Sequence, residues 1–188
     1  MNVKLKNIDI YYNDKKIIDD FSIGINEGDR VAVLGKSGVG KTTLLKVLLK
    51  EIIPDRGLIE FSEEPFYSVV FQENLLFEER SIYDNILFVK DIDREILSEY
   101  LMDFGLEGLI DKKVCELSGG MKRRVAILRS IIYSGNIYIF DEALKELDNK
   151  TRENAINIIN REVRKILIFT THNEQDIKDL KANKIIYL

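Results

Sequence analysis

One cysteine, Cys115, stands in 188 residues, so no internal disulfide can form. Neither it nor the lone histidine, His172, has neighbours at metal-ligand spacing. Two prolines exclude a collagenous or Pro-rich chain. Long apolar runs are missing too: Val31 to Leu34, Ile137 to Phe140 and Ile166 to Phe169 are four residues each, against the roughly 20 that a membrane-spanning helix needs. The opening stretch MNVKLKNIDIYYNDKK alternates polar and apolar residues and lacks the apolar region of a signal peptide. These absences predict a cytoplasmic chain whose link to a membrane, if it has one, runs through a partner. An excess of one charge is also absent, since 28 Lys and Arg against 32 Asp and Glu leave a formal net charge of −4 with no long basic run. Bulk charge therefore disfavours nucleic acid, and no nucleic-acid partner is expected. What is present is ordinary for a folded protein, 45% hydrophobic and 32% charged, with length for one compact domain and a small insert.

Up to Ile25 the residues alternate as strands do, and Asn13-Asp14 supplies turn chemistry between Ile8–Tyr12 and Ile17–Ile25, which predicts an antiparallel hairpin. From Arg30 the pattern changes to short, nearly all-apolar, β-branched segments suited to strands buried on both faces of a parallel sheet: Val31 to Leu34, Tyr67 to Phe71, Ile137 to Phe140 and Lys165 to Thr170. Helical-period stretches such as Lys41 to Lys50 and Thr151 to Arg164 lie between them, and Lys184 to Leu188 reads as a last strand. Alternation of strand and helix predicts an α/β sheet. From about Asn74 to Lys113 the rhythm breaks, because Ile82, Ile86, Leu87, Ile92, Ile96, Leu97, Tyr100, Leu101 and Phe104 recur at helical spacing without strand runs, as in a small helical insert.

The strand Val31 to Leu34 runs into Gly35-Lys36-Ser37-Gly38-Val39-Gly40-Lys41-Thr42, which matches G-x-x-x-x-G-K-[ST], and a helix follows from Thr43. Glycines let consecutive backbone N–H groups converge on anionic oxygens at the positive end of a helix. Lys41 is placed to reach β and γ phosphates and Thr42 to set its hydroxyl on Mg²⁺. A second candidate element is Ile137-Tyr138-Ile139-Phe140-Asp141-Glu142, a buried strand ending in adjacent carboxylates that alternation sends different ways. Asp141 suits support of the metal, and Glu142 suits polarising a water beside the γ-phosphate. In isolation such a pair would more simply cap the next helix; beside Lys41 it reads as half of a site. Leu117-Ser118-Gly119-Gly120-Met121 precedes a helix from Lys122 to Tyr133, with Ser118 as a natural N-cap. Its hydroxyl and the exposed N–H groups make a second anion site, and one nucleotide can use both sites only where they face each other.

These residues resemble the nucleotide-binding subunit of an ATP-binding cassette (ABC) transporter over essentially the whole chain. LSGGM is similar to the family signature LSGGQ, and around it stand, in order, Tyr12, GKSGVGKT, Gln72 after a strand, then IYIFDE, Leu147-Asp148 and His172 after a strand. The resemblance implies a single domain over 1–188: an α/β P-loop NTPase core with a mainly parallel sheet, an N-terminal antiparallel β element and a helical subdomain at about 74–118. It implies ATP and Mg²⁺ as ligands. Tyr12, or Tyr11 beside it, would stack on adenine, and Gly35, Lys36, Ser37, Gly38, Val39, Gly40, Lys41, Thr42 and Thr43 would surround the phosphates. Thr42, Gln72 and Asp141 would serve the metal, while Glu142, His172, Gln72 and Lys41 would carry hydrolysis. Ser118, Gly119 and Gly120 would hold the ATP of a second subunit, so that two copies, or this chain and a paralogue, sandwich two ATP molecules. Closure would act on a transmembrane permease at the inner face of the membrane, through the surface around Gln72 and residues 74–90.

Three departures from the family pattern stand out. Met121 replaces the signature glutamine, as in importers resembling those for nitrate, sulfonates and taurine. Ala143 replaces a proline, and Lys145 and Glu146 replace small residues of the loop between Glu142 and Leu147. Val114-Cys115-Glu116 lacks the Gly-Glu pattern of exporters, which predicts an importer subunit, with an exporter subunit or a soluble non-transport ABC ATPase as the alternatives.

Overall fold

The computed structural model describes residues 1–13 and 15–188. Strands β1 (Asn2–Tyr12) and β2 (Lys15–Asn26) pair antiparallel, with Val3, Leu5, Ile8 and Ile10 buried beneath them. Of the expected turn, Asn13 takes a left-handed φ of 49°, while Asp14 lies outside the described residues. Parallel pairing then begins with β3 (Arg30–Leu34), which leads into α1 (Lys41–Leu48). The next strand, β4 (Arg56–Phe61), does not follow that pattern but joins the other edge of β1, giving an antiparallel sheet of order β2-β1-β4. Its sequence carries no strand signature, because Leu58 is exposed and Gly57 interrupts the alternation. That glycine is required sterically: its φ is +88°, in the left-handed region, and a Cβ there would lie 2.3 Å from the Lys6 and Asn7 carbonyl oxygens, where β1 bulges.

The larger sheet contains β3, β5 (Tyr67–Val70), β6 (Ile137–Asp141), β7 (Ile166–Thr170) and β8 (Lys184–Tyr187) in the order β5-β6-β7-β3-β8, with every pair parallel. Side-chain alternation divides its burial. Val31, Val33, Ile137, Ile139, Ile166 and Ile168 meet α1 and the antiparallel sheet, whereas Ala32, Tyr138, Phe140, Leu167 and Phe169 meet the helices on the opposite face. Phe140 is almost wholly buried, and truncating such a phenylalanine to Ala typically costs about 3–5 kcal/mol.

Those opposing helices are α2 (Ile82–Leu87), α3 (Arg94–Asp103), α4 (Gly119–Tyr133), α5 (Asn149–Glu162) and α6 (Glu174–Asp179). A capping box between Ser81 and Asp84 starts α2, and the Asp93 carboxylate caps α3. Ile82, Ile86, Leu97, Leu101 and Phe104 share one apolar cluster with Val125 and Leu128 of α4, so the helical insert is packed onto the core. Helix α4 begins earlier than its apolar period suggests, because the Ser118 hydroxyl accepts from the Met121 N–H at 3.3 Å and draws Gly119 and Gly120 into the first turn. Helix α5 likewise starts early, at the Asp148 cap. Among the described residues no helix is long and apolar enough to cross a membrane.

Candidate functional site

The carboxyl ends of β3, β6 and β7 lie side by side, the location at which open α/β sheets gather ligand-binding loops. The loop after β3 enters α1 at Gly40, whose φ is 118° and where a Cβ would come 2.7 Å from Ile17 Cγ2. Only glycine suits that position. No side chain caps α1 and no acidic residue stands in its first turn, so its leading N–H groups are left for an anion. Lys41 is buried and curls back, its Nζ donating to the Gly35 carbonyl at 2.8 Å and the Lys36 carbonyl at 3.1 Å. The ammonium is thereby held above the loop, the position from which it can meet phosphate oxygens.

Asp141 ends β6 as a buried carboxylate with two hydroxyl donors. Thr42 Oγ1 donates to Oδ2 at 3.1 Å and Thr170 Oγ1 to Oδ1 at 2.6 Å. Thr170 in turn accepts from the Glu142 N–H at 2.9 Å, so one hydroxyl ties the ends of β6 and β7 together. Glu142 sits at φ 48°, a region that non-glycine residues seldom occupy, and its carboxylate has partners other than those of Asp141. His172 Nε2 lies 2.6 Å from Glu142 Oε1 and Lys145 Nζ 3.1 Å from Oε2. Burial pushes the Glu142 carboxyl up, but the contacts with Lys145 and His172 outweigh it and hold the group below the usual glutamate range.

A cavity of about 680 Å³ brings most of the sequence-predicted residues together: Ser37, Gly38, Gly40, Lys41, Thr42 and Thr43 on one wall, Gln72, Glu142 and His172 on another. Tyr11 and Tyr12 stand at its rim with Ile10 and Ile17, and Tyr12 is the more exposed at 72% against 46%. Gly35, Lys36 and Val39 do not line the space. The first two support Lys41 through their carbonyls, and the Val39 N–H donates to Lys36 at 3.3 Å. Ser118, Gly119 and Gly120 lie outside the cavity at the head of α4, with Gly120 beside the Glu146 carbonyl. Thr42 and Gln72 line this cavity, and Asp141, which does not, is tied to it by the Thr42 hydroxyl; all three carry hard oxygen donors, the ligand type that Mg²⁺ takes. Among the described residues no three His, Cys, Asp or Glu side chains converge, so a cation here would draw its remaining oxygens from a ligand or water.

Two residues that matter to this geometry were not singled out by their sequence context. Arg123 is buried, and its guanidinium donates to the carbonyls of Phe71 (2.5 Å), Gln72 (3.0 Å) and Glu142 (3.2 Å), so it joins the Gln72 loop to the Glu142 turn. Its signal is a charged residue four and eight positions before the buried Ile127 and Ile131, on the apolar stripe of α4. Thr170 is the other, a hydroxyl closing an otherwise apolar strand.

The family model described as "ABC transporter" matches residues 18–145. Among curated proteins, the spermidine/putrescine import ATP-binding protein PotA of Fusobacterium nucleatum is 31% identical over 194 aligned positions, covering 93% of this chain and 52% of the relative. PotA of Haemophilus influenzae is 32% identical over 195, with the same coverages, and that of Mycoplasma capricolum 28% over 203, covering 98% of this chain and 58% of the relative. The chain thus spans little more than half the length of the curated relatives it matches. The likeness to nitrate, sulfonate and taurine importers rests on Met121 alone. Among solved structures, a bacterial Atm1-family ABC exporter with ATP bound superposes with a TM-score of 0.86 at 26% identity, over all of this chain and 36% of the other. An ATP-binding subunit of an ABC transporter reaches a TM-score of 0.88 at 19% identity, over all of this chain and 86% of the other, and shares the fold.

Proposed function

The chain belongs to the ABC transporter family, and from that premise we propose that it binds ATP with Mg²⁺ and hydrolyses it as the ATP-binding subunit of an importer, in one domain whose residues 74–118 form an inserted helical subdomain. The observation that carries this reading is the linked set Thr42–Asp141–Thr170–Glu142 beside Lys41 and the free head of α1. Relatives whose names specify import favour an importer over an exporter.

In this reading the amides from Ser37 to Thr43 and the Lys41 ammonium hold the phosphates, and Tyr12 offers its ring to adenine at the open rim. Thr42, Asp141 and Gln72 would hold Mg²⁺, which would supply neutralisation of charge on the phosphate oxygens. Glu142 accepts a proton from the attacking water, and His172 and Gln72 face the γ-phosphate. Ser118, Gly119 and Gly120, outside the chain's own cavity, serve the ATP of a facing subunit, either a second copy or a related chain. The partner that moves is a transmembrane permease, which would place the chain on the inner face of the membrane.

Equilibrium titration with a labelled, slowly hydrolysed ATP analogue tests the core of the proposal. Lys41→Ala is expected to weaken binding by at least about tenfold, the order of a lost charge-assisted hydrogen bond. Unchanged affinity in that variant would refute the phosphate-loop assignment.

A further inference from the structure

Lys145 replaces a small residue of the family pattern, and its surroundings give it something to do. Its ammonium lies 3.1 Å from Glu142 Oε2, and its backbone N–H donates to the Glu142 carbonyl at 3.0 Å, so a single turn sets both contacts. With His172 on Oε1, both carboxylate oxygens that a water could approach are engaged. Glu142 is nevertheless the only ionic partner of Lys145 among the described residues, and the lysine side chain is 55% exposed. The lysine end of the pair stands in solvent while the carboxylate is largely buried, so the ammonium can leave without unpacking the fold. Lys145 also lines the same cavity as Ser37, Lys41 and Thr42.

Given that the phosphate loop holds a nucleoside triphosphate, as proposed above, we propose that Lys145 is a second phosphate-binding cation of this cavity, held on Glu142 until a triphosphate arrives and then transferred to its terminal phosphate. A terminal phosphate presents more charge and more acceptor oxygens than one carboxylate, so it competes well for the ammonium. The flexible four-carbon stem of lysine allows the exchange without backbone movement. Transfer frees Glu142 Oε2 to accept the hydrogen of an attacking water. It also places a cation where a diphosphate has no group to meet it, so Lys145 favours triphosphate over diphosphate.

The experiment is equilibrium titration of the full chain with fluorescent ADP and a fluorescent, slowly hydrolysed ATP analogue in the presence of Mg²⁺. Wild type is compared with Lys145→Ala, Glu142→Gln, the double variant and Lys41→Ala. Lys145→Ala is expected to weaken the triphosphate by about tenfold and the diphosphate by less than about twofold. The triphosphate loss is expected to persist or grow in the Glu142→Gln background, where no carboxylate competes for the ammonium. A loss that disappears in that background would reduce Lys145 to a neutraliser of Glu142, and parallel losses for both nucleotides, or none for either, would equally overturn the transfer. Wild-type binding by Lys41→Ala would instead remove the nucleotide-site premise, an outcome distinct from anything Lys145 does.

Discussion

Thr42 and Asp141, 99 residues apart in the chain, are joined by a hydrogen bond of 3.1 Å from hydroxyl to carboxylate. The same carboxylate accepts from Thr170 at 2.6 Å, so the loop after β3 and the ends of β6 and β7 share one buried acceptor. That acceptor is the only carboxylate in the proposed metal set. Asp141→Asn keeps the shape but removes the charge. ATP binding is expected to lose its enhancement by Mg²⁺, while Mg²⁺-free binding stays within about threefold of wild type, less than a charged hydrogen bond is worth. Titration of a labelled ATP analogue with and without Mg²⁺ reads this directly; an unchanged enhancement would remove Asp141 from the metal set.

Arg123 bonds three carbonyls from two loops that approach each other only in the folded chain. Arg123→Ala leaves those carbonyls without their charged donor and opens a void where the buried guanidinium stood, and a loss of about 2–4 kcal/mol in denaturant unfolding is expected. ATP turnover should fall further than ATP affinity does, because Gln72 and Glu142 lose their shared support. A change below roughly 0.5 kcal/mol, typical of a surface substitution, would contradict this role.

Glu142→Gln retains the side-chain shape while removing the charge that draws a proton from water. Hydrolysis is expected to drop by at least the ~10²-fold typical of losing one acid or base group. Binding should hold or tighten, since a carboxylate no longer repels the γ-phosphate in a partly dry cavity. The variant should therefore accumulate as an ATP-loaded dimer on size exclusion. Near wild-type hydrolysis, or an unfolded variant, would return the acidic pair to a purely structural role.

Ser118 caps α4 and does not line its own chain's cavity. Losing the cap costs about 1 kcal/mol in either Ser118→Ala or Ser118→Arg, so the two variants separate stability from space. Both are expected to bind ATP as wild type does. Only the arginine, which fills the place of a facing γ-phosphate, should abolish ATP-driven dimerisation measured by light scattering. Parallel loss of binding and dimerisation would count against action between subunits.

Much of the site could be read before any coordinates because its parts are short. The run from Gly35 to Thr42 needs only a strand before it and a helix after it, and its glycines answer local steric demands such as the one at Gly40. The apolar runs of β3, β6 and β7 report strands covered on both faces, and the period-2 pattern up to Ile25 reports the hairpin. β4 escaped because half of its alternation is exposed and its pairing depends on a distant bulge in β1.

Local backbone sterics and side-chain period are written in consecutive residues, and so the linear order of residues was enough to read the α/β class, the glycine-rich loop between β3 and α1 and the acidic strand end. Which hydroxyl meets Asp141, which carbonyls Arg123 holds, and that Lys145 turns onto Glu142 are different in kind. The first two depend on β3, β5, β6 and β7 standing in one sheet and on α4 packing beside β5 so that Arg123 reaches the ends of β5 and β6, an arrangement that only burial of the two apolar clusters enforces. The third depends on the left-handed turn at Glu142, a conformation its side chain does not favour and which the Thr170 and Arg123 bonds to its backbone hold in place.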